Sequence, residues 1–125
     1  ERKYANQDLL EQLVNVLDIF DKAVNLETDD EKIKNFLSGF TMINSSFKQI
    51  LESYGVKKII TKGEKFDPRY HHAMETVWEK DKEENIILEE MQTGYSYKDR
   101  LLRPSLVKVN KNMKGKDKNE KNNWN

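Results

Sequence analysis

Residues 91–109 read MQTGYSYKDRLLRPSLVKV, and the rest of the chain falls into place around them. The stretch reads as a strand, a turn at Gly94, a polar loop ending in Asp99-Arg100, and a second apolar strand beginning near Leu101. Alternating Tyr, Leu and Val suit a pleated surface buried on one side. Pro104 brings no backbone donor, so the second strand is expected at a sheet edge or with a bulge there. Arg100 and Arg103 bracket Leu101-Leu102, which sets two guanidinium groups around an apolar pair. On composition alone, an ordinary edge strand with solvated charges is the favoured account of this pattern.

Outward from that stretch, 125 residues allow one domain, or one small domain with an extended element. Charged residues are 35% and apolar ones 36%, with a mean hydropathy of −0.92. That balance is too polar for a membrane protein and leaves little for one compact core, so much of the apolar content belongs on narrow helical seams. No run approaches the roughly 18 apolar residues of a spanning helix. The opening ERKYANQ has no apolar signal segment, and the absence of cysteine excludes disulfide and thiolate chemistry, so a cytoplasmic protein is expected. The formal net charge is zero, but residues 110–125 carry +3, which leaves −3 on the body. A slightly acidic body with dispersed aromatics argues against nucleic-acid binding.

Leu10, Leu13, Leu17, Phe20 and Val24 recur at alternating three- and four-residue intervals, the seam of a packed helix over residues 1–25, with Leu9, Val14 and Val16 widening it. Glu1-Arg2-Lys3 looks like the middle of a helix, so the chain is expected to begin part-way along a longer one. Thr28 with Glu31 makes a capping box for a second helix, and Asp29 and Asp30 place negative charge in its first turn. Its seam runs through Ile33, Phe36, Leu37, Phe40, Ile43, Phe47, Ile50, Leu51 and Tyr54, and Gly55 stops it. Gly39 interrupts this helix at a cost of about 1 kcal/mol relative to alanine. Two such seams are not buried well by one short chain; pairing two copies into a four-helix bundle would cover them.

After Gly55 the period changes. Residues 57–60 form a short strand candidate. In FDPRYHHAM, residues 66–74, Asp67 and Pro68 suit the start of a short helix over Arg69–Met74. Residues 76–79 and 85–91 read as strands, so the region 56–109 is expected to be a small, mostly antiparallel β domain after the helical region 1–55. The Asn- and Lys-rich residues 110–125 have no periodic apolar positions and are expected to be a disordered tail. His71 and His72 are neighbours that point apart on a helix, and no further ligand completes a metal set. The glycine-rich loop of nucleotide hydrolases and the G-x-S-x-G elbow are both missing from the sequence, and the acidic runs read as solvated faces. No enzyme and no cofactor are expected.

With Gln92, Gly94-Tyr95, Asp99-Arg100, Leu102-Arg103-Pro104 and Val107-Lys108-Val109, the chain resembles the GrpE family, the nucleotide exchange factors of DnaK-type chaperones. Phe66-Asp67-Pro68, His71 and Ala73 resemble the family's second signature, from which His72 departs by standing where an acidic residue is usual. The resemblance implies an α+β fold: a long N-terminal helix, truncated here, and a second helix build a homodimeric four-helix bundle, followed by the β domain. Leu10, Leu13, Leu17, Phe20, Val24, Ile33, Phe40 and Phe47 would then serve dimerisation. It implies a factor that binds the chaperone's ATPase domain, one chaperone per dimer, mainly through one protomer's β domain. There it holds the nucleotide cleft open so that ADP leaves, with no membrane or nucleic acid involved. By resemblance Arg100 would pair with a carboxylate of the chaperone and Val109 would fill an apolar depression. Gln92 would contact the partner or support the loop with Met91 and Tyr95, Gly39 would lie on the chaperone-facing side of the second helix, and Arg103 and Pro104 would be structural. A dimeric coiled-coil scaffold or tether with a β cap is the alternative that the helical seams alone support.

Overall fold

The computed structural model describes residues 2–112. After a 3-10 turn at Arg2–Tyr4 come helices α1 (Gln7–Val24) and α2 (Glu31–Ser53), then strands β1 (Val56–Lys58), β2 (His71–Val77), β3 (Ile87–Gln92), β4 (Tyr95–Tyr97), β5 (Arg100–Arg103) and β6 (Ser105–Asn110). Two helices followed by a small β region is the fold class read from the sequence. The strands form two three-stranded sheets, ordered β1-β4-β5 and β2-β6-β3. Two compact units result: residues 2–57 with 96–102, and residues 58–95 with 103–112. The helical unit therefore also holds residues 96–102, which sequence patterning groups with the β region.

In the helical unit, Leu10, Val14 and Leu17 line the buried stripe of α1. Burying each such side chain is worth roughly 1.5–3 kcal/mol. The ring of Phe20 meets that of Phe40 on α2 at 6.1 Å, and Asp21 accepts from Asn44 at 2.6 Å and pairs with Lys48 at 3.0 Å. The first helix begins later than its seam suggests, at Gln7 after Asn6, rather than running from the first residue. For α2 the N-cap is Asp30, whose carboxylate accepts the Lys32 amide at 2.9 Å. Thr28, expected to cap the helix, instead accepts the Asp30 amide at 3.2 Å and sets up the true cap. At the other end Gly55 has φ +96, the left-handed backbone that ends a helix without a Cβ clash, as the sequence indicates.

The second unit is built on β6, which is the central strand of its sheet. It runs parallel to β2 (Ala73 opposite Val107, Thr76 opposite Val109) and antiparallel to β3 (Ile87 opposite Val109). Ser105, Val107 and Val109 alternate inward, and Val107 and Val109 form a core with Ile87 that Phe66 covers. The strand expected at a sheet edge, or bulged at Pro104, is instead divided there: β5 is the edge strand of its sheet and β6 the central strand of the other. Pro104 falls between them, where the chain passes from one sheet to the other, so no ladder bond is lost. The mixed pairing of β6 likewise qualifies a sheet expected to be mostly antiparallel.

Two further expectations give way to long-range pairing. Asp67 does cap a turn, with its carboxylate on the Arg69 amide at 3.0 Å and its carbonyl on the amides of Tyr70 and His71. The helix expected over residues 69–74 goes no further, because from His71 onward the backbone pairs with β6. A short helix with few apolar positions cannot compete with a ladder that also buries a core. Asn110, expected to open the tail, is instead the buried end of β6. Its side chain accepts the Glu79 amide at 2.7 Å and donates to the carbonyls of Glu79, Lys82 and Glu83, closing the charged loop. The tail from residue 113 lies outside the described residues.

Candidate functional site

The strands β4 and β5 are joined by Lys98-Asp99 alone, where the sequence reads as a polar loop after Gly94 ending in Asp99-Arg100. Tyr95 and Tyr97 are buried, which draws this segment into a strand and leaves only two residues to turn. Lys98 adopts φ +56, unusual for a side chain of its type, and its amide donates to the Gly55 carbonyl at 2.8 Å. The turn is thus tied to the end of α2.

The segment before α1 clasps the same turn. Lys3 Nζ lies 2.9 Å from Asp99 Oδ2, and the Tyr4 hydroxyl donates to the other carboxylate oxygen. The Tyr4 hydrogen bond, followed by that from Lys3, holds the Asp99 carboxyl down at about 2, and Asp99 in turn raises the Lys3 ammonium. Beside it, the Arg100 guanidinium sits 4.1 Å from the centre of the Tyr4 ring, and Nη1 donates to Gln7 Oε1 at 2.8 Å. Arg100 is exposed, and among the described residues its charge rests on a neutral amide and a ring face. A guanidinium so placed retains donors for a planar anion such as a carboxylate.

Other residues expected at a partner surface are placed differently. Gly39 lies on exposed α2, and a Cβ built there meets nothing within 4 Å. Gln92 ends β3, half-buried, in register with Leu106. Val109 is 1% exposed inside the core of the second unit, so the expectation that it fills a partner's depression is corrected: alternation along β6 turns it inward with Val107. Gly39 and Arg100 belong to the helical unit, Gln92 and Val109 to the other. Arg103 donates to the Thr93 carbonyl at 2.9 Å and stacks near Tyr95, consistent with the structural part expected of it.

Among the seam residues, Leu10 and Leu17 are buried within the single chain, whereas Leu13, Phe20, Val24 and Phe47 are half-buried. Ile33 and Phe40 remain 41% and 36% exposed, in company with Leu9, Val16, Ile19, Phe36, Met42 and Ile43. An apolar groove of about 210 Å³ runs between the helices, lined by Val16, Leu17, Phe20, Ile43, Asn44 and Phe47. His71 is buried at the start of β2, where its Nδ1 accepts the Asp67 amide at 2.9 Å. Desolvation lowers its pKa despite the nearby carboxylates. Among the described residues no group of three His, Cys, Asp or Glu is gathered to hold a metal, and no helix is long and apolar enough to cross a membrane.

The chain matches the GrpE family model over residues 1–111. It belongs to the GrpE family. A relative named "Protein GrpE" from Acholeplasma laidlawii is 44% identical over 110 residues, covering 88% of this chain and 58% of that protein. Those of the same name from Oceanobacillus iheyensis and Bacillus subtilis are 40% and 39% identical, over 89% and 87% of this chain and 58% of each of them. The chain thus spans a little over half the length of these GrpE relatives. Lys3, Tyr4 and Gln7 carry no signal in the sequence that ties them to the signature around Arg100, because they meet it only across some 90 residues of chain. The GrpE signature itself marks Asp99-Arg100 and is silent on what holds them.

Proposed function

We propose that this chain is the bundle and β-domain part of a nucleotide exchange factor, acting on the ATPase domain of a DnaK-type chaperone. Membership of the GrpE family over residues 1–111 carries this reading. The exposed Arg100, opening β5 just after a short turn and with its guanidinium on Gln7 and the Tyr4 ring, supports it as the group that meets the chaperone. The factor makes and breaks no bond. It binds the open nucleotide cleft more tightly than the closed one, and by linkage it weakens ADP by the same factor that ADP weakens it. Carrying the cleft from mostly closed to mostly open takes about 5.5 kcal/mol of differential affinity. A few buried contacts around one arginine are of that order.

The exposed apolar residues of α1 and α2 and the groove between them support a second copy as their cover, two helices from each chain making a bundle. A dimer in sedimentation is expected, and a well-folded monomer at micromolar concentration would remove the bundle. The functional test is release of fluorescent ADP from a DnaK-type chaperone with and without this chain. Faster release is expected, and Arg100→Glu should weaken binding more than tenfold in calorimetric titration while leaving the dimer folded. A dimer that leaves ADP release unchanged would be a scaffold and not an exchange factor.

A further inference from the structure

We propose that Tyr4, just before α1, and Gln7, its first residue, are positioning residues for Arg100: they hold its guanidinium ready for a partner carboxylate. This inference rests on the reading of Arg100 as the chaperone contact. An exposed arginine at the first position of a strand would sample many rotamers and lose that freedom on binding. Here the freedom is already restricted from two sides. The Tyr4 ring lies under the guanidinium at 4.1 Å, and Gln7 Oε1 takes one Nη1 hydrogen at 2.8 Å. The ring is itself oriented, because its hydroxyl donates to Asp99, the residue just before Arg100, with Lys3 on the same carboxylate. Asp99 thus acts at one remove: it fixes the ring, and the ring fixes the arginine.

The arrangement suits a bidentate oxyanion, which on a protein partner is a carboxylate. One face of the guanidinium is covered by the ring and one donor by the amide, which leaves an edge with its parallel N–H pair for a bidentate acid. Neither Tyr4 nor Gln7 carries a charge that would compete for the arginine or repel the incoming anion. A carboxylate in place of Gln7 would neutralise Arg100 before the partner arrived.

The test is a double-mutant cycle on affinity for the chaperone's ATPase domain, measured by calorimetric titration. Tyr4→Leu should weaken binding about three- to tenfold, Tyr4→Phe less, and Gln7→Ala about two- to fivefold. In an Arg100→Ala background Tyr4→Leu should add nothing. In the chain alone, the Arg100 Nε–H order parameter from NMR relaxation should be high and should fall in Tyr4→Leu, with the helical circular dichroism unchanged. An undiminished Tyr4→Leu effect in the Arg100→Ala background overturns the proposal, since Tyr4 would then act on the partner directly or on the fold. An Arg100 that is equally mobile in both chains overturns it as well. If Arg100→Ala alone leaves affinity unchanged, the failure lies with the chaperone-contact reading, and the proposal falls with it even where the order parameter behaves as expected.

Discussion

Gly39→Ala separates folding from partner recognition at one position. Residue 39 sits inside α2 with helical backbone, and a methyl group there meets nothing within 4 Å. The substitution therefore adds no clash and removes the excess backbone entropy of glycine, a gain of about 0.8–1 kcal/mol in a helix interior. For a chain of this size that is an upward shift of roughly 4 °C in unfolding midpoint. The comparison is made at one protein concentration, since the midpoint of a chain that pairs as proposed moves with concentration. If the open space over residue 39 is where the chaperone comes close, the same methyl should weaken ATPase-domain binding by about tenfold, read by calorimetric titration. Stability up and affinity down is the expected pair. A lower midpoint would refute the open, helical placement of Gly39; a higher midpoint with unchanged affinity would take Gly39 off the partner-facing surface.

At Gly94 the same substitution should act in the opposite direction. A Cβ there would lie 2.4 Å from the Ser105 amide nitrogen and hydroxyl and 2.8 Å from the Pro104 carbonyl carbon, so backbone must move. Gly94→Ala should cost about 2 kcal/mol or more in urea unfolding, and a midpoint within error of the parent would refute the close approach. For His71, burial holds the folded pKa below its ordinary 6.5, and Nδ1 accepts the Asp67 amide only when unprotonated. Above pH 6.5 both states are neutral and stability is complete; as pH falls below 6.5 the unfolded chain binds a proton that the folded chain refuses, and stability declines. Asp67 and Asp99, both held at about 2, lose their contributions only from about 3.8 downward. The urea midpoint should therefore fall in two separate stages on acidification, and His71→Gln should abolish the first; a midpoint flat from pH 7 to 5 would show that His71 titrates normally.

Periodicity alone placed both helices, because a stripe of apolar residues at three- and four-residue spacing reports one face of a helix whatever it packs against. The stop at Gly55 was equally local, since only the backbone freedom of that residue is at stake. The signature around Asp99-Arg100 also pointed to the turn that carries the candidate site. Local pattern does not reveal which of two apolar faces is used inside the chain. Leu10 and Leu17 share a seam with Leu13 and Phe20, yet they are buried within the single chain while Ile33 and Phe40 on the neighbouring helix stay exposed.

What the amino-acid order determined was the two helices, the stop at Gly55 and the family, all of which rest on contacts between near neighbours or on residue identity. Tertiary structure alone decided that residues 71–77 extend instead of coiling, that Val109 points into a core, and that Arg100 rests on Tyr4 and Gln7. The reason is common to all three. Each outcome is set by a partner tens of residues away — β6 for the strand, Ile87 for the valine, the start of α1 and the turn before it for the arginine — and the free energy of such a pairing outweighs the fraction of a kcal/mol by which local propensity distinguishes one conformation from another.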